Sequence, residues 1–159
     1  ANSTQNLGNV PKTKIQGFEI EANFRPTSDI QLNAAAGYTF SEIKEFPDAS
    51  AIGNEAPLIS RYTYNLGAQY TPQLTDTLDG LFRVDYRRTG KTWWEPFNTT
   101  VRQPVDLVDV RLGVNSDSWS MAAFASNLFN EKYNAEFSPG GFVFKARPRI
   151  YGLEASYKF

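Results

Sequence analysis

Apolar and polar residues alternate one by one over most of the chain. They do so in runs of about ten residues divided by Pro, Gly, Asn and Asp, the period of a β-strand and not of a helix. Seven such runs stand out. The first sets Phe18, Ile20, Ala22 and Phe24 against Glu19, Glu21 and Asn23, with its strand expected near Lys12 to Arg25. The second, Ile30 to Phe40, sets Leu32, Ala34, Ala36 and Tyr38 against Gln31, Asn33, Gly37 and Thr39. In the third, Tyr62, Tyr64, Leu66, Ala68 and Tyr70 oppose Arg61, Thr63, Asn65, Gly67 and Gln69. The fourth places Phe82, Val84 and Tyr86 against Arg83, Asp85 and Arg87, and the fifth Val108, Val110, Leu112 and Val114 against Asp109, Arg111 and Gly113. The sixth, Trp119 to Tyr133, is less regular because Met121 to Ala125 is apolar or small on both sides; Phe124 and Leu128 are expected on the apolar face. The seventh, Arg149 to Phe159, sets Tyr151, Leu153, Ala155, Tyr157 and Phe159 against Gly152, Glu154, Ser156 and Lys158.

The connections alternate in length. Short ones fall at 26–29, 71–77 and 115–118, and long ones at about 42–59, 92–104 and 134–148. Short turns at one end and long loops at the other are the habit of an outer-membrane barrel, turns in the periplasm and loops outside the cell. No linker divides the chain, so residues 1–159 are expected to form one barrel segment. Alternation alone also fits a soluble sandwich, whose apolar face packs on a second sheet. Run length near that of a membrane-crossing strand, aromatics near run ends, and long loops at one end only favour lipid. The fold expected is therefore all-β: an antiparallel up-and-down transmembrane β-barrel segment of about seven strands. Seven is an odd number and open edges cannot sit in hydrocarbon, so the barrel is expected to be incomplete, its first and last strands seeking partners.

Composition removes most other chemistry. The chain has no Cys and no His, which excludes thiol nucleophiles, imidazole bases and the commonest transition-metal ligands. No glycine-flanked nucleophile or phosphate loop appears, so no enzyme and no cofactor are expected. Sixteen basic residues nearly balance seventeen acidic ones, which gives no reason to propose a nucleic-acid partner. Residues 1–9 lack the basic and apolar segments of a signal peptide, so an export signal is expected to have been removed or to lie upstream.

Four motifs in order then resemble one family. Lys14-Ile15-Gln16-Gly17-Phe18-Glu19 resembles the lysine-x-x-glycine-aromatic/aliphatic-glutamate segment in the late barrel of TonB-dependent receptors, and Gly53-Asn54 with Pro57 resembles the loop that follows. Asn127-Leu128-Phe129-Asn130-Glu131-Lys132-Tyr133 is similar to the family's near-terminal motif, with Asn130 where aspartate is usual. Pro148 to Phe159 resembles its closing strand. The resemblance implies the C-terminal part of a barrel of about 22 strands in the Gram-negative outer membrane, filled by a separate plug domain and energised by TonB through that plug. Neither a plug nor a TonB-contacting box is visible here. By the same implication the whole receptor takes up a scarce nutrient such as a siderophore, cobalamin or glycan. A small passive pore or adhesive barrel, or a soluble carbohydrate-binding β-sandwich, are the competing readings.

Candidate site residues follow from position. Glu19, Glu21, Arg61, Arg83, Asp85, Arg87, Asp109, Arg111, Glu154 and Lys158 are expected to face the lumen, solvating the wall or meeting a plug or ligand, with Arg83, Asp85 and Arg87 opposite Asp109 and Arg111 the best ladder. In the long loops Trp93, Trp94, Phe97, Phe142 and Phe144, with Phe137, are candidates for stacking on a small-molecule ligand, or else girdle anchors. Glu42, Glu45, Asp48 and Glu55 lack the regular spacing of a calcium loop, and no metal is expected. Tyr157 and Phe159 resemble the terminal signal read by the outer-membrane assembly machinery. The partners expected are outer-membrane lipid, the remaining strands and plug of the parent receptor, that machinery, and the ligand.

Overall fold

A computed structural model describes residues 12–138 and 141–158. Among these residues twelve strands occur: β1 Lys12–Phe24, β2 Ile30–Glu45, β3 Tyr62–Tyr70, β4 Gln73–Thr75, β5 Leu78–Thr89, β6 Thr92–Trp93, β7 Val101–Arg102, β8 Val105–Asn115, β9 Trp119–Ser126, β10 Asn134–Ser138, β11 Phe142–Lys145 and β12 Ile150–Tyr157. Seven of them build one antiparallel meander in the order β1-β2-β3-β5-β8-β9-β12, each strand paired to its successor. Short β4 lies beside the start of β5, and β6-β7 and β10-β11 are separate hairpins inside two of the long loops.

Register brings the predicted apolar residues to one face. Directly paired positions form a row through all seven strands: Phe24, Leu32, Ala68, Val84, Val110, Ala125 and Tyr151. Side chains opposite one another across a pair share a face, so this row is one stripe of an apolar surface. The parallel row Gln31, Gln69, Arg83, Arg111 belongs to the other, polar face. The apolar row begins at the last residue of β1, beside the short turn 25–29, and ends at the second residue of β12, beside a long loop. Its climb from one rim to the other is the stagger that tilted barrel strands require.

Among the described residues no second layer covers the apolar face. Tyr64 is 41% exposed and Leu153 86% exposed, which removes the sandwich reading. Among the described residues β1 and β12 are the two edges of an open sheet.

Three local expectations are corrected. The sixth run stops at Ser126, not Tyr133, because Asn127 takes a left-handed φ of 52° and turns the chain out, its N–H held by Asp109 Oδ1 at 2.8 Å. Leu128 therefore lies beyond the strand. Phe124 pairs with Arg111 and Gly152 and so stands on the polar face, not the apolar one. Small residues on both sides of β9 gave no parity signal there, and Gly152 makes the room: a Cβ at that position would collide with the Phe124 ring. Finally, β2 runs on to Glu45, which brings Glu42 and Glu45 out of the first loop and into the strand.

Candidate functional site

The polar face carries most of the predicted charges, but register denies the expected ladder. Arg83 lies opposite Arg111 and Asp85 opposite Asp109, like against like, an arrangement that is unfavourable by itself. Relief comes along and across the sheet. Arg83 donates to both carboxylate oxygens of Asp85 on its own strand, at 2.7 and 2.6 Å. Arg87 reaches Asp109 diagonally at 3.5 Å, and Arg111 spans β9 diagonally to Glu154 of β12 at 2.6 Å. All of these groups are at least one-third exposed, so each pair contributes little stability; together they leave a wetted, charge-balanced surface. Glu19 and Glu21 sit on the same face opposite Gly37 and Ala35. Arg61 lies just before β3 and turns to Glu55 of the loop at 2.8 Å; Lys158 follows β12 and donates its N–H to the Ser118 carbonyl at 2.7 Å.

Above this face the first two long loops fold together into a crown. Ile43 and Ala51 are fully buried, Ala56 and Val105 are 5% exposed and Trp94 9%. Ile43 pairs with Thr13 and Val105 with Thr89, positions of polar-face parity, so this small core closes over the polar side of the sheet. Polar bonds lock it. Leu58 donates its N–H to the Trp93 carbonyl at 2.8 Å, in a left-handed φ of 63° that costs a non-glycine residue strain. Asn98, at φ 55°, accepts the Glu55 N–H at 2.9 Å and donates to the Glu55 carbonyl at 2.9 Å; Asn54 donates to the Pro96 carbonyl at 3.0 Å. Glu95 gathers the N–H groups of Phe97, Thr99 and Thr100 and the Thr99 hydroxyl. Partial burial pushes the Glu95 carboxyl up, but those bonds from Thr100, Thr99 and Phe97 outweigh it and hold its pKa below the usual glutamate range.

The aromatic candidates divide. Trp94 is a core residue, flanked by the Phe137 ring at 6.3 Å and by the Arg102 guanidinium at 5.7 Å. Trp93 is half-buried under the Lys91 ammonium at 4.8 Å, and Phe97 meets Phe46 edge-on at 5.9 Å. Phe142 (70% exposed) and Phe144 (57%) stand out on the β10-β11 hairpin. The four loop-region carboxylates are engaged separately: Glu42 with Lys44, Glu45 with Lys12, Glu55 with Arg61 and Lys91, and Asp48 capping Ser50. Backbone and hydroxyl bonds from Ser50 also draw the Asp48 carboxyl below its ordinary value. Tyr157 pairs with Trp119 on the apolar face at the turn rim; Phe159 lies outside the described residues.

Sequence reasoning missed Ile43, Glu95, Asn98 and Asn127. Asn127 is a clasp: its side chain accepts the Glu131 N–H at 2.7 Å and donates to the Glu131 and Arg147 carbonyls at 3.0 and 3.3 Å, closing the root of the third long loop. The near-terminal motif was the available signal for it, read there as resemblance and not as geometry.

An open, staggered, single-layer meander with one apolar face and one charged face is the wall of an outer-membrane β-barrel. Comparison with known proteins agrees: residues 1–128 match the TonB dependent receptor-like, beta-barrel family, and the chain belongs to it. Among solved structures it is similar to the ferric yersiniabactin uptake receptor FyuA of Yersinia pestis (TM-score 0.83, 17% identity), with 92% of this chain covering 24% of that one. The ferric preacinetobactin receptor BauA of Acinetobacter baumannii gives a TM-score of 0.84 at 20% identity, with 92% and 22% covered. At these identities the likeness is one of fold, and the chain spans less than a quarter of either receptor. The 25 kDa outer-membrane immunogenic protein of Brucella abortus biovar 1 is 28% identical over 113 residues, 65% of this chain and 50% of that protein. The chain is an outer-membrane protein of a Gram-negative cell, with the fold of transport receptors and not of enzymes.

Proposed function

We propose that this chain is the C-terminal part of the wall of a TonB-dependent receptor that takes up a scarce nutrient. A ferric siderophore is the first choice; cobalamin or a glycan is chemically open to the same loops. The observation that carries the reading is the partition of the sheet: lipid-compatible residues on one face, and on the other a balanced charge lattice capped by folded loops. In this reading Glu19, Glu21, Arg83, Asp85, Arg87, Asp109, Arg111 and Glu154 face the lumen and wet the boundary with the plug, while Arg61 and Lys158 lie at its two rims. The exposed rings of Phe97, Phe142 and Phe144 receive the ligand, and buried Trp94 with half-buried Trp93 supports the loop that presents them. The edges of β1 and β12 pair with the remaining strands of the parent barrel, and Tyr157 with Phe159 serves its assembly. TonB acts through the plug.

The test is uptake of radiolabelled ferric siderophores by cells carrying the whole receptor. Uptake should require TonB and the proton-motive force, and Phe142→Ala with Phe144→Ala should lower ligand affinity without lowering the amount of folded receptor. Influx that persists without TonB, or affinity indifferent to both rings, would overturn the reading.

A further inference from the structure

We infer that the root of the third long loop is a binding site for a phosphorylated lipid headgroup of the outer leaflet. Eight cations of the wall and crown, Lys12, Lys44, Arg61, Arg83, Arg87, Arg88, Lys91 and Arg111, each meet a carboxylate; Lys14, Arg25, Arg102 and Lys158 meet none among the described residues but are scattered singly along the chain. The third loop differs. Lys132, Lys145, Arg147 and Arg149 are all exposed, and no carboxylate among the described residues lies within ion-pairing distance of any of them. Four cations without a carboxylate partner within eighteen positions, against Glu131 and Glu136, gather positive charge at one place in a chain whose net charge is -1.

Geometry selects lipid over a soluble anion. The Arg149 guanidinium lies 5.1 Å over the Tyr151 ring, and Tyr151 ends the apolar row that runs across the wall. Arg149 therefore stands at the loop rim on the lipid side, where an aromatic and a cation together meet headgroups. It is held there: its N–H is taken by Asn130 Oδ1 at 3.1 Å and its guanidinium donates to the Leu128 carbonyl at 3.1 Å. Beside it a recess of about 390 Å³ is lined by Asn130, Glu131, Lys132, Tyr133, Lys145 and Pro148, among others. Lys132 and Lys145 outnumber the single carboxylate of Glu131 in that lining, and Phe129, 74% exposed, offers apolar surface nearby for an acyl chain. A phosphate above and hydrocarbon below match that order of groups. The inference needs only the outer-membrane location and not the nutrient reading.

The experiment places the whole receptor in nanodiscs of zwitterionic phospholipid and titrates bis-phosphorylated lipid A, its dephosphorylated form, and inorganic phosphate, counting retained lipid by native mass spectrometry. Phosphorylated lipid A should be retained in preference to the dephosphorylated form, and inorganic phosphate should compete only weakly. Each cation removed should weaken retention roughly fivefold, so Lys132→Gln with Arg149→Gln should lose about thirtyfold. Arg149→Lys, which keeps the charge, should recover most of the Arg149 share and shows that the fold is intact. Equal retention of both lipids, or a double variant that binds like the parent, overturns the inference. So does a double variant that loses siderophore affinity while its lipid retention stays unchanged, since the cations would then serve the nutrient.

Discussion

In the wall, Leu153 keeps 86% of its surface exposed and Phe24 63%, whereas in the crown Ile43 and Ala51 keep none. The same residue types do opposite things in the two regions because their solvents differ. The crown stands in water and must make its own dry interior, so Ile43, Ala56, Trp94 and Val105 close on one another. The wall meets hydrocarbon and needs no second layer; its constraint is that backbone groups are satisfied along the ladder and that no unpaired charge faces outward. Wall and crown therefore fail in different ways. The largest expected effect belongs to the crown. Trp94→Ala removes a buried indole, at a cost of about 3–5 kcal/mol by analogy with other core truncations. Hydrogen exchange should accelerate through residues 92–102 while the β5 and β8 amides stay protected. Loss of protection in the wall as well would show that the two regions are one cooperative unit.

The converse substitution is next in size. Val110 lies in the middle of β8 on the apolar row, and Val110→Arg should cost about 2–4 kcal/mol near the bilayer midplane. Tyr64→Arg tests depth. Tyr64 pairs with Arg88, next to the loop-side end of β5, so its replacement should cost at most about 1 kcal/mol. The Arg88 and Asp106 pair already present at that level, at 2.7 Å, shows that charge is accommodated there. Denaturant titration of folding into liposomes would separate the two variants; equal costs would mean that the row is not tilted through the membrane as its stagger implies.

The wall was legible in the sequence and the crown was not, for one reason. Parity is local: Val108, Val110, Leu112 and Val114 announce their face without reference to any neighbour, and register then aligns strand with strand. Where parity was silent, at Met121 to Ala125, Phe124 was placed on the wrong face. The charge ladder depended on register, which alternation does not carry, so Arg83 met Arg111 in place of Asp109. Crown contacts join positions such as Glu55 and Asn98 across 43 residues of chain through backbone atoms, and no residue type marks them in advance. Trp94 looked like a ligand platform because a large ring in a loop reads the same whether it is offered or buried.

Smaller effects probe how the crown's polar bonds divide the work. Asn98→Ala removes three side-chain bonds and puts alanine at a left-handed φ, together about 1–3 kcal/mol. Asn98→Gly keeps the backbone freedom and loses only the bonds. If glycine restores protease resistance at the 46–61 loop, strain was the larger part; if both variants open the loop alike, the tie to Glu55 was.

The smallest expected effect is one of pH. Glu95 has its folded pKa held below the ordinary glutamate value by the Thr100, Thr99 and Phe97 N–H groups, against the upward push of partial burial. A depressed folded pKa means that ionised Glu95 favours the folded loop. Its contribution is fully present above about pH 4.3, the ordinary glutamate value, and is lost as pH falls through the lower folded pKa. Opening at the Thr99 and Thr100 amides, read as exchange relative to the intrinsic rate at each pH, should therefore become faster in acid. Glu95→Gln should set that faster opening at every pH and abolish its acid dependence, with Val110 and its neighbours in the wall unchanged. If the acid response survives in Glu95→Gln, another carboxylate governs the crown; Asp48, whose pKa is lowered by Ser50, is the first to test.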